Sequence, residues 1–378
     1  MKMNVCVVTG SRAEFGLLNP VMNEIKNSKK LKLSIVVAGT HLSRKFGNSI
    51  KEIETNGFKI NEKIFCFKDG DQDDEIINSF SKTCNDFGKK FKKIKPNIII
   101  LLGDRYEILA ASIAAMISRI PIGHIHGGEI TQGAIDDSIR HSITKMSHLH
   151  FVAHKNYRKR VIQLGESPKR VFNVGGLGAE NISKINFLSK NQLQKILKIK
   201  FLKKNFLITY HPVTLEPKKA KKNISEIINS LREIKDTLFI FTIPNSDNEN
   251  SFIFKKLEIF SKKNKNVKIF KNLGTVKYLS LMRLSDLIIG NSSSGILETP
   301  SFKKPCINIG IRQKGRIQSN NIINVNEKKK EILKAIKLSN SLAYQKKLKK
   351  VFNPFKKKNT SKMIVKMLEN QIFENLLI

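Results

Sequence analysis

Asn4-Val5-Cys6-Val7-Val8-Thr9-Gly10-Ser11-Arg12-Ala13-Glu14-Phe15-Gly16 decides the fold. After Asn4 the run Val5–Val8 is apolar and mostly β-branched, it breaks at Thr9-Gly10, and from there Leu17, Leu18, Val21, Met22 and Ile25 recur at helical spacing. A strand without polar alternation is covered on both faces, as parallel strands are. The same alternation of short apolar run and longer amphipathic segment repeats along the chain.

Further strands are predicted at Leu33–Ala38, Asn97–Leu102, Pro121–Ile125, His150–Ala153 and Val171–Val174. After a Lys- and Asn-rich stretch over about 184–204 the pattern restarts, with strands at Phe206–Tyr210, Leu238–Thr242, Val267–Phe270, Leu287–Ile289 and Cys306–Ile309. Repeated strand–helix–strand units predict an α/β protein of two Rossmann-like domains, with a ligand cleft at the carboxyl ends of the sheets. The expected division is 1–180, an N-terminal domain carrying acid/base residues, 181–355, a C-terminal nucleotide-binding domain, and 356–378. In the last piece Ser361 to Leu377 has helical spacing and is expected to pack back on the first domain.

The 378 residues, 40% hydrophobic, suit a globular chain of two or more domains and exclude a small stapled module. Lys and Arg total 69 against 31 Asp and Glu, a net charge of +38, which nominates nucleic acid on charge alone. The lysines are instead scattered between apolar segments, without interleaved aromatics, so neither nucleic acid nor membrane is expected as a partner. Cys6, Cys66, Cys84 and Cys306 show no zinc-type spacing and read as reduced core residues. The amino-terminal apolar run is too short for a signal peptide and no run reaches membrane-span length, so the expected location is cytoplasmic.

Chemistry-bearing residues collect after strand ends. Gly10 permits close backbone approach, and Arg12 beside a helix start favours phosphate, whereas the absence of GxGxxG disfavours nicotinamide. Gly103-Asp104-Arg105-Tyr106-Glu107 puts charges directly after a buried strand, where they must face a cleft or each other. In Gly123-His124-Ile125-His126-Gly127-Gly128-Glu129 the glycine pair turns the chain and holds Glu129 at the strand rim; Asp136, Asp137 and Arg140 open the next helix. Carboxylates around one guanidinium suit acid/base work. Six of the eight histidines lie between 124 and 154, but strand-like alternation and hydrogen bonding explain them better than a metal does. His211-Pro212-Val213-Thr214 and Pro244-Asn245-Ser246-Asp247 follow strands of the second half. Gly290-Asn291-Ser292-Ser293-Ser294-Gly295 offers amides, hydroxyls and a helix start to one diphosphate, with Glu298 one turn later for a ribose and Arg312, Gln313 and Arg316 to close over it.

The ordered motifs SRAEFGLL, GDRYE, HIHGGEITQGAIDDSIRHSITK, HPVT and GNSSSGILE followed by PCINIGIRQKGR resemble the hydrolysing UDP-N-acetylglucosamine 2-epimerases over about residues 4–326. The resemblance implies a GT-B fold, no metal or other cofactor, a nucleotide-sugar substrate and a homodimer or homotetramer. It implies nucleotide or substrate contacts at Arg12, Arg105, His211, Asn245, Ser292, Ser293, Ser294, Gly295, Glu298 and Arg312. Catalysis falls to Asp104, Glu129 and one of Asp136 and Asp137, Asp136 being preferred, with Arg140 in support. Gly16 departs from the pattern, since some relatives have a nucleotide-touching serine there. The implied reaction turns UDP-N-acetylglucosamine and water into N-acetylmannosamine and UDP through a 2-acetamidoglucal, for sialic acid-type synthesis. The same chemistry on UDP- or GDP-N,N'-diacetylbacillosamine, for legionaminic acid, is the alternative, and a GT-B glycosyltransferase a further one.

Overall fold

The computed structural model describes residues 2–42, 49–66, 73–132, 135–213, 219–243, 250–271, 273–371 and 373–376. The chain divides into two compact units: Met1–Glu129 with Asp136–Asn181 and Lys357–Ile378, and Ile130–Ile135 with Ile182–Lys356. Each is a Rossmann-like domain built on one parallel sheet, so the fold class read from the sequence holds.

The first unit contains β1 (Met3–Thr9), β2 (Leu31–Val37), β3 (Glu62–Lys63), β4 (Ile98–Leu102), β5 (Ile122–Ile125), β6 (Leu149–Val152) and β7 (Val171–Asn173). Their order is β3-β2-β1-β4-β5-β6-β7, all parallel. The period of two sends alternate residues of each strand to opposite faces. Val5, Val7, Ile98 and Ile100 enter one core with the helix Arg12–Asn27, while Cys6, Val8, Ile99 and Leu101 enter another with Phe87, Phe91 and Ile108. Because β1 pairs with β2 on one side and β4 on the other, the connections leave β1 and β4 in opposite directions. That switch point opens a crevice at the strand carboxyl ends, where Arg12 and Asp104 stand.

The second unit holds β8 (Lys204–Thr209), β9 (Thr237–Thr242), β10 (Val267–Phe270), β11 (Leu287–Gly290), β12 (Cys306–Ile309) and β13 (Ile322–Val325), ordered β10-β9-β8-β11-β12-β13. Its switch point lies between β8 and β11, so His211 and Asn291 follow the two strands that flank it. Here too there is a core on each sheet face, one around Phe206, Ile208 and Phe239 and the other around Leu207, Ile240 and Ile288.

The terminal helix spans Thr360–Glu369, shorter than the expected 361–377, and is followed by a 3₁₀ turn at Phe373–Leu376. Ile364, Val365 and Leu368 join the core beside the helix Arg12–Asn27, as expected for a helix returning to the first domain. Burying Ile364 and Leu368 fully contributes about 1.5–3 kcal/mol each. Polar pins fix its start: Thr360 donates to the Val174 carbonyl at 2.8 Å, and Glu180 accepts the Ser361 amide at 2.8 Å and its hydroxyl at 2.9 Å. Cys6, Cys66 and Cys306 are buried free thiols and Cys84 is half-buried. Among the described residues no helix is long and apolar enough to cross a membrane.

Candidate active site

In the first unit the backbone after β5 bends twice through left-handed conformations, at His126 (φ 67°) and Gly128 (φ 75°). Only glycine fits at 128, since a Cβ there would stand 2.6 Å from the Tyr157 carbonyl oxygen. The turn delivers Glu129, which is 2% exposed, so the side chain is buried and not at the rim. His126 Nδ1 lies 3.6 Å from its carboxylate.

Arg140 organises the surrounding acids. It is 1% exposed on the helix Asp136–Lys145, and it donates to the Asp104 carboxylate, to Asp137 Oδ1 at 3.2 Å and to the Glu129 carbonyl at 2.9 Å. Burial works against its charge, but the carboxylates of Asp104, Glu129 and Asp137 outweigh that and raise its pKa further. The planar fork is what lets one side chain meet three partners. Asp137 meets Arg140, and Asp136 begins the helix half-buried.

The histidines behave as hydrogen-bonding core groups. His124 lies between the Gly103 carbonyl (2.9 Å) and the Thr144 hydroxyl (3.2 Å), and burial pushes it down to about 3, so it is neutral. The carbonyl can only accept, which puts the ring proton on Nε2. His150 meets Glu166 at 3.1 Å. Among the described residues no three His, Cys, Asp or Glu side chains are grouped to hold a metal ion.

At the switch point of the same unit, Arg12 pairs with Glu52 at 2.5 Å and Arg105 pairs with Glu107 at 2.7 Å. Within the Asp-Arg-Tyr-Glu run, Arg105 and Glu107 face each other, whereas Asp104 turns to Arg140. Sequence reasoning assigned no role to Glu14, Glu107 or His41, yet all three are buried around this point. The signal of the two acids was present: Glu14 and Glu107 stand in the first turns of the helices Arg12–Asn27 and Tyr106–Ile117 that follow β1 and β4. Gly16, where a serine contact is missing, gives its carbonyl to Asn181 at 2.6 Å.

The second unit gathers its polar groups on Asn291, which is fully buried. Its side chain bonds both the amide (2.7 Å) and the carbonyl (2.8 Å) of His211, and its own carbonyl accepts from Arg312 (3.2 Å) and Gln313 (2.8 Å). Gly290 (φ 136°) is required before it, because a Cβ would overlap the Thr209 backbone. The helix that follows is only Ser293–Leu297, too short for a full macrodipole, so an anion here would rely on amides more than on a long helix. Ser292 caps it by accepting the Ser294 amide at 3.4 Å. Ser294 donates to Glu298 at 2.5 Å while receiving the Tyr278 hydroxyl at 2.9 Å. The expected convergence of three serine hydroxyls is therefore reduced: Ser294 is committed to Glu298, and Gly295 is buried against Cys306. Burial pushes the Glu298 carboxyl up to about 7, with the Ser294 hydroxyl opposing. Asn245 and Thr214 lie outside the described residues.

Two Rossmann-like domains, each with polar groups at its switch point, define a protein of the GT-B class. The profile of the UDP-N-acetylglucosamine 2-epimerase family matches residues 23–369. A Campylobacter jejuni GDP/UDP-N,N'-diacetylbacillosamine 2-epimerase (hydrolyzing) is 48% identical over 323 residues, 85% of this chain and 84% of that protein. Polysialic acid biosynthesis protein P7 of Escherichia coli is 37% identical over 97% of this chain and 94% of its own. Among solved structures, UDP-GlcNAc 2-epimerase from Neisseria meningitidis bound to UDP-GlcNAc superposes with a TM-score of 0.83 at 20% identity, covering 98% of this chain and 100% of that one. The chain belongs to the UDP-N-acetylglucosamine 2-epimerase family and is one of its hydrolysing 2-epimerases.

Proposed function

We propose that this enzyme hydrolyses a UDP-linked 2-acetamido sugar with inversion at C2, and that its sugar is N,N'-diacetylbacillosamine. The observation that carries the chemistry is the buried Arg140, which joins Asp104, Asp137 and the Glu129 backbone into one cluster. A carboxylate of that cluster removes the C2 proton while the C1–O bond to UDP breaks, leaving a C1–C2 double bond in a 2-acetamidoglucal. Water then adds its oxygen at C1, and a second carboxylate returns a proton to C2 from the opposite face. Glu129 is one of the two groups, and Asp104 or an acid of the pair Asp136 and Asp137 is the other. Arg140 keeps the acids oriented and their charge balanced.

The groups assigned to the charge that develops on the diphosphate are Arg12, Arg105, Arg312 and the amides and hydroxyls of Ser292 and Ser293. His211 and Asn245 complete the nucleotide contacts, and Glu298 accepts the ribose hydroxyls. No metal or other cofactor enters this scheme. The sugar assignment draws support from the 48% identical Campylobacter jejuni relative. The second reading, UDP-N-acetylglucosamine going to N-acetylmannosamine, is favoured by the description of the family profile itself.

Supplying the purified enzyme with each donor and measuring UDP release tests both. The proposal expects release from both at unequal rates, with a kcat/KM at least about tenfold higher for the diacetylated sugar, the equivalent of about 1.4 kcal/mol in the transition state. The reverse preference would move the assignment to UDP-N-acetylglucosamine, and no release from either donor would sink the function. Turnover that depends on an added sugar or lipid acceptor would point to a glycosyltransferase instead.

A further inference from the structure

Beneath Arg105 the first unit holds a pair of acids that the reaction scheme leaves unused. Glu14 is 5% exposed; it accepts the Gly10 amide at 2.7 Å and the Ser11 hydroxyl at 3.1 Å. Glu107, whose side chain is wholly buried, accepts Arg105 Nε at 2.7 Å, and the same nitrogen stands 3.7 Å from Glu14. Glycine makes the space: a Cβ on Gly10 or Gly39 would lie 2.5 or 2.7 Å from the Glu107 carboxylate oxygen. Among the described residues the second oxygen of Glu107 is buried without a hydrogen-bond partner.

Two buried carboxylates flanking one guanidinium leave a net negative charge if both ionise, which the low-dielectric surroundings disfavour. The other charged and titratable groups facing the pair, among the described residues, do not offset it. Arg12 is paired with Glu52. His41, between the Thr9 hydroxyl (2.9 Å) and the Ser49 hydroxyl (2.6 Å), is pushed down by burial to about 4 and is neutral. The Cys66 thiol is pushed up by burial to about 12 and is neutral as well. Burial, and then the Glu107 charge, push Glu14 up to about 8 against Arg105 and the Gly10 and Ser11 hydrogen bonds.

We propose that Glu14 holds a proton beside Glu107 beneath Arg105, and that this proton sets the positive charge Arg105 presents to the substrate diphosphate. With the proton in place, one carboxylate balances the guanidinium and an arriving polyanion meets a neutral trio with exposed donors. With both acids ionised, the trio repels it. Glu14 and Glu107 are thus positioning residues, and the inference rests on Arg105 being the diphosphate contact assigned above.

The linkage is read by calorimetry of UDP binding at about pH 8, in two buffers of different protonation enthalpy. At that pH the terminal phosphate of UDP, with a second pKa near about 6, is already ionised, so any proton taken up belongs to the protein. The expected result is uptake of a fraction of a proton by the wild type and none by Glu14→Gln. Affinity for UDP should also fall several-fold from about pH 7 to 9 in the wild type and stay level in the variant. A wild type that binds UDP without taking up a proton, or a variant that takes up as much, overturns the proposal while leaving the function standing. Absence of UDP binding would remove the function and this inference together. Should Glu14→Gln fail to fold, the wild-type proton count decides.

Discussion

Asn291 grips His211 by both ends of its side-chain amide: the carbonyl accepts the His211 N–H at 2.7 Å, and the amino group donates to the His211 carbonyl at 2.8 Å. The β8–β11 ladder ends at Thr209 and Gly290, and the asparagine continues it for one more step. Asn291→Ala removes both bonds from a buried place, at a cost of about 2–4 kcal/mol by the usual price of two lost buried hydrogen bonds. A thermal midpoint lowered by several degrees, with UDP affinity weakened more than tenfold, is expected; a variant with wild-type melting and binding would show that the pairing does not shape this site.

Glu129→Gln keeps the volume of a buried side chain and removes its capacity to take a proton. Turnover is expected to fall by roughly 10²-fold or more, as loss of an acid/base group does, while UDP affinity is retained. Ser293→Ala should give the converse, a weaker UDP complex with the acids intact. Unchanged turnover in the first variant would remove Glu129 from the chemistry, and normal UDP affinity in the second would remove the Ser293 hydroxyl from the anion site, leaving its amide.

Arg140→Lys preserves charge but replaces a fork by a point donor. A single ammonium cannot reach the Asp104 carboxylate, Asp137 and the Glu129 carbonyl with the geometry that Arg140 uses. Turnover should drop by about 10²-fold, because misplaced catalytic groups lose that much for small displacements. Steady-state kinetics beside circular dichroism of the folded variant measures it, and near-normal kcat would mean that charge alone suffices.

Stability should fall as pH rises through neutrality. Glu14 and Glu298, raised to about 8 and about 7, keep protons in the folded state that the unfolded chain has already lost, so folding weakens as pH climbs towards those values. Histidines lowered by burial, His41 and His124 among them, act oppositely, but their contribution is complete above about pH 6.5. Glu62, lowered by Lys90 and then Lys93, and Glu166, where His150 and Lys145 outweigh burial, contribute their slope only at acid pH. Between about pH 6.5 and 8 the unfolding free energy is expected to decline by up to about 1.4 kcal/mol per pH unit for each retained proton. Urea unfolding of wild type and Glu14→Gln checks this; a flat wild-type profile, or the same slope in the variant, contradicts it.

The central strands, buried on both faces, were the most legible. Ile98–Leu102 has no polar residue, and nothing but a central strand needs that. Of the four edge strands, β7 and β10 were read from their apolar residues, while β3 and β13 went unread because their own residues are polar or half-exposed. Glu62–Lys63 is polar and pairs only with β2, and Ile322–Val325 is half-exposed with Asn324 facing out. The motifs located the polar clusters but not their partners. Arg140 reaches Asp104 across 36 residues, and Glu107 is brought near Glu14 across a far longer stretch that the β1–β4 pairing closes. The diversion of Ser294 to Glu298 was readable, since a spacing of four on a helix sets the two side chains together. What Asn291 does was not, because its partner follows another strand.

Proton NMR of the free sugar released in D₂O reads the C2 chemistry itself. Removal and return of the C2 proton by opposed carboxylates requires a product inverted at C2, carrying solvent deuterium there and detached from UDP. A released sugar that kept its original C2 hydrogen and configuration would contradict the account, because the bond that Glu129 and its partner are assigned to break would never have opened.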